Sequence, residues 1–249
     1  MLEKVPAPKL QWLAIILFAF YPLAILAARL DLMHFRNSFL IFIVSALIGF
    51  IVFALAVLKL SRGSGNASQL VVAIIFTALP IGLLGSNVLK ARSVPFIHDI
   101  TTDTQNPPQL IAAAKVRTGD DHDVAYAGEE VAKLQLEGYP DLTSLELNAP
   151  VENVAIEAKA VVQALGWEIL DEQLTQSPMT IEAVDESLLF GFKDDIAIRL
   201  TSFVTPEQHV DVPAKTRVDV RSMSRQGKSD LGANAKRIRV FLEALQARI

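Results

Sequence analysis

The sequence contains no cysteine, which excludes disulfides, a thiol nucleophile and thiolate metal sites. It has no G-x-S-x-G, Walker A, Rossmann or H-E-x-x-H pattern, so the common signatures of hydrolases, nucleotide binders and zinc proteases are missing. Excess positive charge is also absent. Residues 1–93 carry eight Lys or Arg against two acids, whereas residues 94–249 carry fifteen against twenty-five. An acidic body of this kind makes a poor general binder of nucleic acid.

A different absence marks the first third of the chain. Residues 10–28, 38–58 and 70–89 form runs of nineteen, twenty-one and twenty residues without Asp, Glu, Lys, Arg or His. Each has the length at which a helix crosses about 30 Å of hydrocarbon, and a helix satisfies its own backbone groups there. The spacing predicts three transmembrane helices, with a kink at Pro80. No small-x-small cleavage site follows the first run, so it reads as an anchor and not as a removed signal. The lack of internal ionisable groups argues against a proton or ion path through the spans. Lys4, Lys9, Lys59 and Arg62 flank one side and Arg29, Arg36, Lys90 and Arg92 the other. With four against four, the positive-inside rule does not set the orientation.

Residues 94–249 read as a separate α+β domain, a small antiparallel sheet with packed helices. Asn106-Pro107-Pro108 blocks regular helix, and residues 128–138 suit a short one. Pro150 opens a helix whose apolar residues Val154, Ala158, Val161, Val162 and Leu165 recur at three and four, and Gly166 stops it. Four alternating segments follow, WEILDEQ, MTIEAVDES, DDIAIRLTSF and TRVDVRS. In the last, Val218 and Val220 face the core, with Arg217, Asp219 and Arg221 facing away. A final helix over about 231–248 carries the stripe Leu231, Ala235, Ile238, Leu242, Leu245 and Ile249. Short connections place both long helices on one face of the sheet.

The candidate chemistry centres on residues 218–238, VDVRSMSRQGKSDLGANAKRI. One reading is an anion site, in which Arg221 and Arg225 hold a ligand while Ser222, Ser224, Asn234 and Arg237 orient it. The other is an internal network, in which Asp99, Asp103, Asp194, Asp195 and Asp230 neutralise Arg199, Arg221, Arg225 and Arg237. Ser229 or Asp230 is expected to cap the last helix. His98 and Asp99 are the acid–base candidates, and the GDDHD run at 119–123 offers a similar pair. Glu182 with Asp194 and Asp195 is a candidate carboxylate pair. No metal or cofactor is called for by any spacing.

IHDITTD (97–103), Tyr139-Pro140, Trp167, the F-x-F-x-D-D stretch at 190–195 with Arg199, and DVRSMSRQGKSDLGANAKRI (219–238) together resemble the DUF1499 family over about residues 94–247. The resemblance implies no activity. It implies kinship with secreted or lipid-anchored proteins of Gram-negative bacteria, hence an expected bacterial inner-membrane anchor with the C-terminal domain in the periplasm. The expectation is a membrane-anchored extracytoplasmic binding or scaffolding domain. Its partners would be the lipid bilayer and an anionic small molecule, lipid headgroup or envelope protein. The alternative is a hydrolase using His98, Asp99 and the arginine cluster.

Overall fold

The structure, a computed structural model, describes residues 5–30, 32–203 and 215–249; Lys4 lies outside these. It divides into two compact units, Met1–Lys90 with Leu188–Gly191, and Ala91–Ser187 with Phe192–Ile249.

In the first unit the three uncharged runs become α1 (Ala7–Arg29), α2 (Phe35–Ser61) and α3 (Ala67–Ser93). All three are long and apolar enough to cross a membrane. They meet through small residues: Ala14, Ala46, Gly49, Ala56 and Ala73 lie at the buried seams. Small side chains let backbones approach closely, which is how helices associate where lipid removes the hydrophobic drive between them. The outward faces carry Leu, Ile and Phe, as a lipid-facing surface requires.

The second unit is a mixed α+β domain. Its strands are β1 (Asp99–Thr101), β2 (Leu145–Leu147), β3 (Glu168–Gln173), β4 (Met179–Glu186), β5 (Lys193–Phe203) and β6 (Lys215–Ser224). They form one antiparallel sheet in the order β1-β6-β5-β4-β3, with β2 beside the other end of β6. The helices are α4 (Ile111–Val116), α5 (Glu129–Gly138), α6 (Val151–Ala164) and α7 (Ala233–Gln246).

Alternation on the long strands decides the layers. Ile181, Ile196, Ile198, Leu200, Val218 and Val220 share one face and bury against α6 and α7. Each such side chain contributes roughly 1.5–3 kcal/mol of transfer free energy. Helix α6 starts after Pro150 and ends at Ala164 with Leu165 as its C-cap, and Gly166 follows at φ +76°, a left-handed stop that glycine adopts without steric cost.

Helix α7 departs from the expected stripe. Leu231 (φ 53°) and Gly232 (φ 77°) are both left-handed, so the chain turns before the helix can include Leu231. Ile249 is exposed beyond its end, and Phe241 is buried in the core and stacks on Trp167 at 5.8 Å. The opposite face of the sheet is not open to water either. Leu110 and Ala113, from α4 and its entry, pack onto Ala197 and Met223. That second layer covers the face of the sheet that carries Arg221 and Asp195.

Candidate functional site

Period two along β6 sends Arg221, Met223 and Asp219 to the α4 side of the sheet and Val220, Ser222 and Ser224 to the α7 side. The sequence signature is thereby divided by the sheet. Arg221 and Arg225 do not share a cavity with Ser222, Ser224, Asn234 and Arg237.

On the α4 side, strand β1 pairs with β6 so that Asp99 meets Arg221. Arg221 donates from Nε to Asp99 Oδ1 at 2.9 Å and from Nη2 to Oδ2 at 2.7 Å, a bidentate fork. Nη2 also donates to the Val124 carbonyl at 2.8 Å, and the guanidinium stands 5.5 Å from the Tyr126 ring. Arg221 is 1% exposed, the largest of the fully buried side chains.

One strand over, Asp195 is fully enclosed. Arg225 donates to it from Nε and Nη2, the shorter contact 2.7 Å, and Arg117 donates from Nε at 2.8 Å. Nη2 of Arg117 is also 2.8 Å from Asp195 Oδ2, but as an ionic contact without hydrogen-bond alignment. Nη1 of Arg117 donates to the His122 carbonyl at 2.6 Å. Further along this face, Arg199 binds Asp219 at 2.8 Å and Asp103 at 3.0 Å, with Arg217 on the same two carboxylates and Ser144 donating to Asp219.

Glu182, opposite Ala197 in the register, is separated from Asp194 and Asp195 in its role. Its carboxylate receives the N–H groups of Ile111, Ala112 and Ala113 and so satisfies the first turn of α4.

On the α7 side, Arg237 binds Asp185 and Asp194, each at 2.7 Å, residues that face one another across β4 and β5. Its Nη1 reaches Asn234 Oδ1 at 2.6 Å and Ser222 Oγ at 3.1 Å. Asn234 Nδ2 donates to Ser224 Oγ and to the His98 carbonyl. Of the two tasks expected of Asp230, the hydrogen bonds show the capping one. It accepts from the N–H groups of Gly232 and Asn234, capping α7 from two residues ahead of its N-cap. Burial, with the neighbouring Asp194 charge, raises its carboxyl above the usual range despite those two hydrogen bonds.

The acid–base candidates sit at the end of the sheet. His98 stacks on His122 with ring centroids 4.2 Å apart. Burial, then the His122 neighbour, holds the His98 imidazole below its ordinary value; Asp99, the Lys228 backbone and Asp230 oppose this. His122 Nε2 is 2.9 Å from the Gly227 carbonyl. Asp99 has both carboxylate oxygens engaged by Arg221 and does not orient the neighbouring imidazole as in an acid–base dyad. Among the described residues, no group of three His, Cys, Asp or Glu side chains is arranged to hold a metal ion.

This combination, with its separated motifs joined by one sheet, matches a known domain. Residues 99–245 fit the family described as a protein of unknown function, DUF1499. The chain belongs to the DUF1499 family. No curated protein and no solved structure matches it. The recurring feature of this DUF1499 domain is pairing: Arg117, Arg199, Arg221, Arg225 and Arg237 each contact an aspartate. Sequence reasoning missed Arg117, Asp185 and Asp219 as partners. Asp185 is found only through the β4–β5 register, and nothing local to Arg117 points towards Asp195.

Proposed function

We propose that this protein is a membrane-anchored, extracytoplasmic scaffolding or binding domain whose arginine–aspartate network holds the fold and leaves partner recognition to the outer surface. The observation that supports this is the saturation of the signature arginines by internal carboxylates. An incoming anion would have to displace Asp99 from Arg221 or Asp195 from Arg225, and each displaced carboxylate would be left buried without its counter-charge. A protein partner in the envelope therefore fits better than a small anion held by these groups. Hydrolysis through His98 and Asp99 has less support, because Asp99 is committed to Arg221 and His98 to a stack with His122.

The periplasmic placement of the domain rests on its kinship with exported family members. A C-terminal phosphatase fusion that is active, with a fluorescent-protein fusion that is dark, is the expected result; the reverse pattern overturns the placement. For the network, calorimetric titration of the full chain in nanodiscs with inorganic phosphate is expected to give no saturable heat. A saturable signal abolished by Arg225→Ala, in a variant that still unfolds cooperatively, would restore the anion site.

A further inference from the structure

The turn between β4 and β5 has an unusual composition. Water-facing hairpin tips favour Gly, Asn and Asp, which supply turn geometry and polarity. Here the loop Ser187–Phe192 reads SLLFGF. Its base is closed in both directions: Ser187 N donates to the Phe192 carbonyl and Phe192 N to Ser187 Oγ, both at 2.8 Å. Gly191, at φ 68°, makes the return. The result is a closed loop presenting Leu188 at 85% and Leu189 at 56% exposure.

Leu188–Gly191 group with α1, α2 and α3 as one compact unit. Within that unit Phe190 packs edge-on against Phe39 and Phe42, with centroids 5.9 Å apart in both cases. Arg29 Nη1 donates to the Leu188 carbonyl at 3.0 Å. Depth follows from helix geometry. The 27 residues of α2 span about 40 Å against about 30 Å of hydrocarbon, which leaves roughly 5 Å at each end among the headgroups. Phe39 and Phe42 lie about 6 and 10 Å from the start of α2 at a rise of about 1.5 Å per residue, which puts Phe39 at the hydrocarbon boundary and Phe42 about 5 Å inside it. An arginine at that level and an apolar tip beside it match the way interfacial anchors divide between headgroup and acyl chain.

We propose that Leu188 and Leu189 insert into the lipid bilayer at the hydrocarbon–headgroup boundary, giving the β4–β5 hairpin a membrane attachment of its own. The occupant of this surface is lipid and not protein, because the tip adjoins a surface that already faces lipid: Phe39, Leu40 and Leu47 of α2 are exposed apolar residues.

The absence of native cysteine makes the test clean. Leu188→Cys or Leu189→Cys is labelled with an environment-sensitive fluorophore in the full chain, reconstituted in phosphatidylglycerol–phosphatidylethanolamine nanodiscs. Ile156→Cys, another exposed apolar position on α6, is the reference. The expected result is a blue-shifted emission at 188 and 189, quenched by nitroxide lipids labelled near the headgroup more than by those labelled near the chain end, and protected from iodide. A water-like emission quenched by iodide overturns the proposal. So does emission shielded from both iodide and nitroxide lipid, which would mark a protein neighbour. Two independent label positions guard against one of them perturbing the loop.

Discussion

Removing one member of the Asp99–Arg221 pair is the sharpest test of the network. Arg221 is enclosed, with a bidentate fork to Asp99 and carbonyl contacts to Val124 and Pro108. Asp99→Ala leaves the guanidinium buried with two carbonyls and no counter-charge. Breaking a buried pair in this way costs about 3–5 kcal/mol, far more than the roughly 0–1 kcal/mol of a solvent-exposed pair. The Arg239–Asp141 pair provides the internal comparison, since its side chains are 36% and 55% exposed. Replacing both partners of the buried pair, as in Asp99→Leu with Arg221→Met, removes the stranded charge and is expected to recover most of the loss. The chain has two tryptophans, Trp12 in α1 and the buried Trp167. In a Trp12→Phe background, Trp167 fluorescence reports urea unfolding of the C-terminal domain in the full chain in nanodiscs. With an m-value of about 2 kcal/mol/M, Asp99→Ala is expected to lower the midpoint by about 1.5–2.5 M and Asp141→Ala by less than about 0.5 M. Equal small shifts for both would refute the structural reading of the buried pair.

Glu182→Ala removes the acceptor for three N–H groups of α4 and is expected to cost about 2–3 kcal/mol, with faster amide exchange at Ile111, Ala112 and Ala113; unchanged exchange there would contradict the capping role. Gly166→Ala meets no atom within 4 Å but forces a side chain into φ +76°, so it is expected to cost about 1–2 kcal/mol, measured by the same urea transition. The pH prediction concerns His98. Its folded-state affinity for a proton is reduced, so the unfolded chain takes up that proton first as pH falls. Its contribution is therefore complete above its ordinary value of about 6.5 and lost as pH falls from there through the lower folded value. Asp230, raised by burial, has the opposite sign and relieves its penalty as pH falls towards the ordinary carboxylate value. His98→Asn is expected to flatten the loss of stability between neutral pH and about pH 5; an unchanged slope would exclude His98 as its source.

How much of this architecture is readable from the sequence depends on the range of each interaction. The three spans need only uncharged length, and α6 needs only its apolar repeat with Pro150 and Gly166 at its ends. The long strands β4, β5 and β6 declare themselves by alternation. The same alternation also separates Arg221 from Ser222, yet their closeness in sequence suggests one site; strand geometry outranks proximity along the chain. Strands β1 and β2 have three residues each, too few for a period to register. Helix α4 has six, and its first turn is satisfied by Glu182, 70 residues from Ala112. The left-handed Leu231 has no local signal comparable to a glycine, so periodicity alone carries the α7 stripe too far towards its start.

The arrangement gives a polar signature a physical reason to exist without a reaction. Strand β6 pairs with β1, β2 and β5, so its register fixes most of the sheet. A one-residue slip would send Arg221 into the apolar layer under α7 and Val220 into the charged layer under α4. Apolar alternation alone resists that slip only through burial energies that other hydrophobic pairings can partly match. Charges at fixed alternating positions add a penalty that alternatives cannot match, because a displaced Arg221 or Arg225 would be buried without an aspartate. The aspartates come from β1 and β5, and Arg117 follows α4, so the same contacts also fasten the covering layer to the sheet. On the other face Arg237 ties α7 to the β4–β5 pair through Asp185 and Asp194. Separated motifs in a fixed order are what such a set of long-range clasps leaves in a sequence, with or without a ligand.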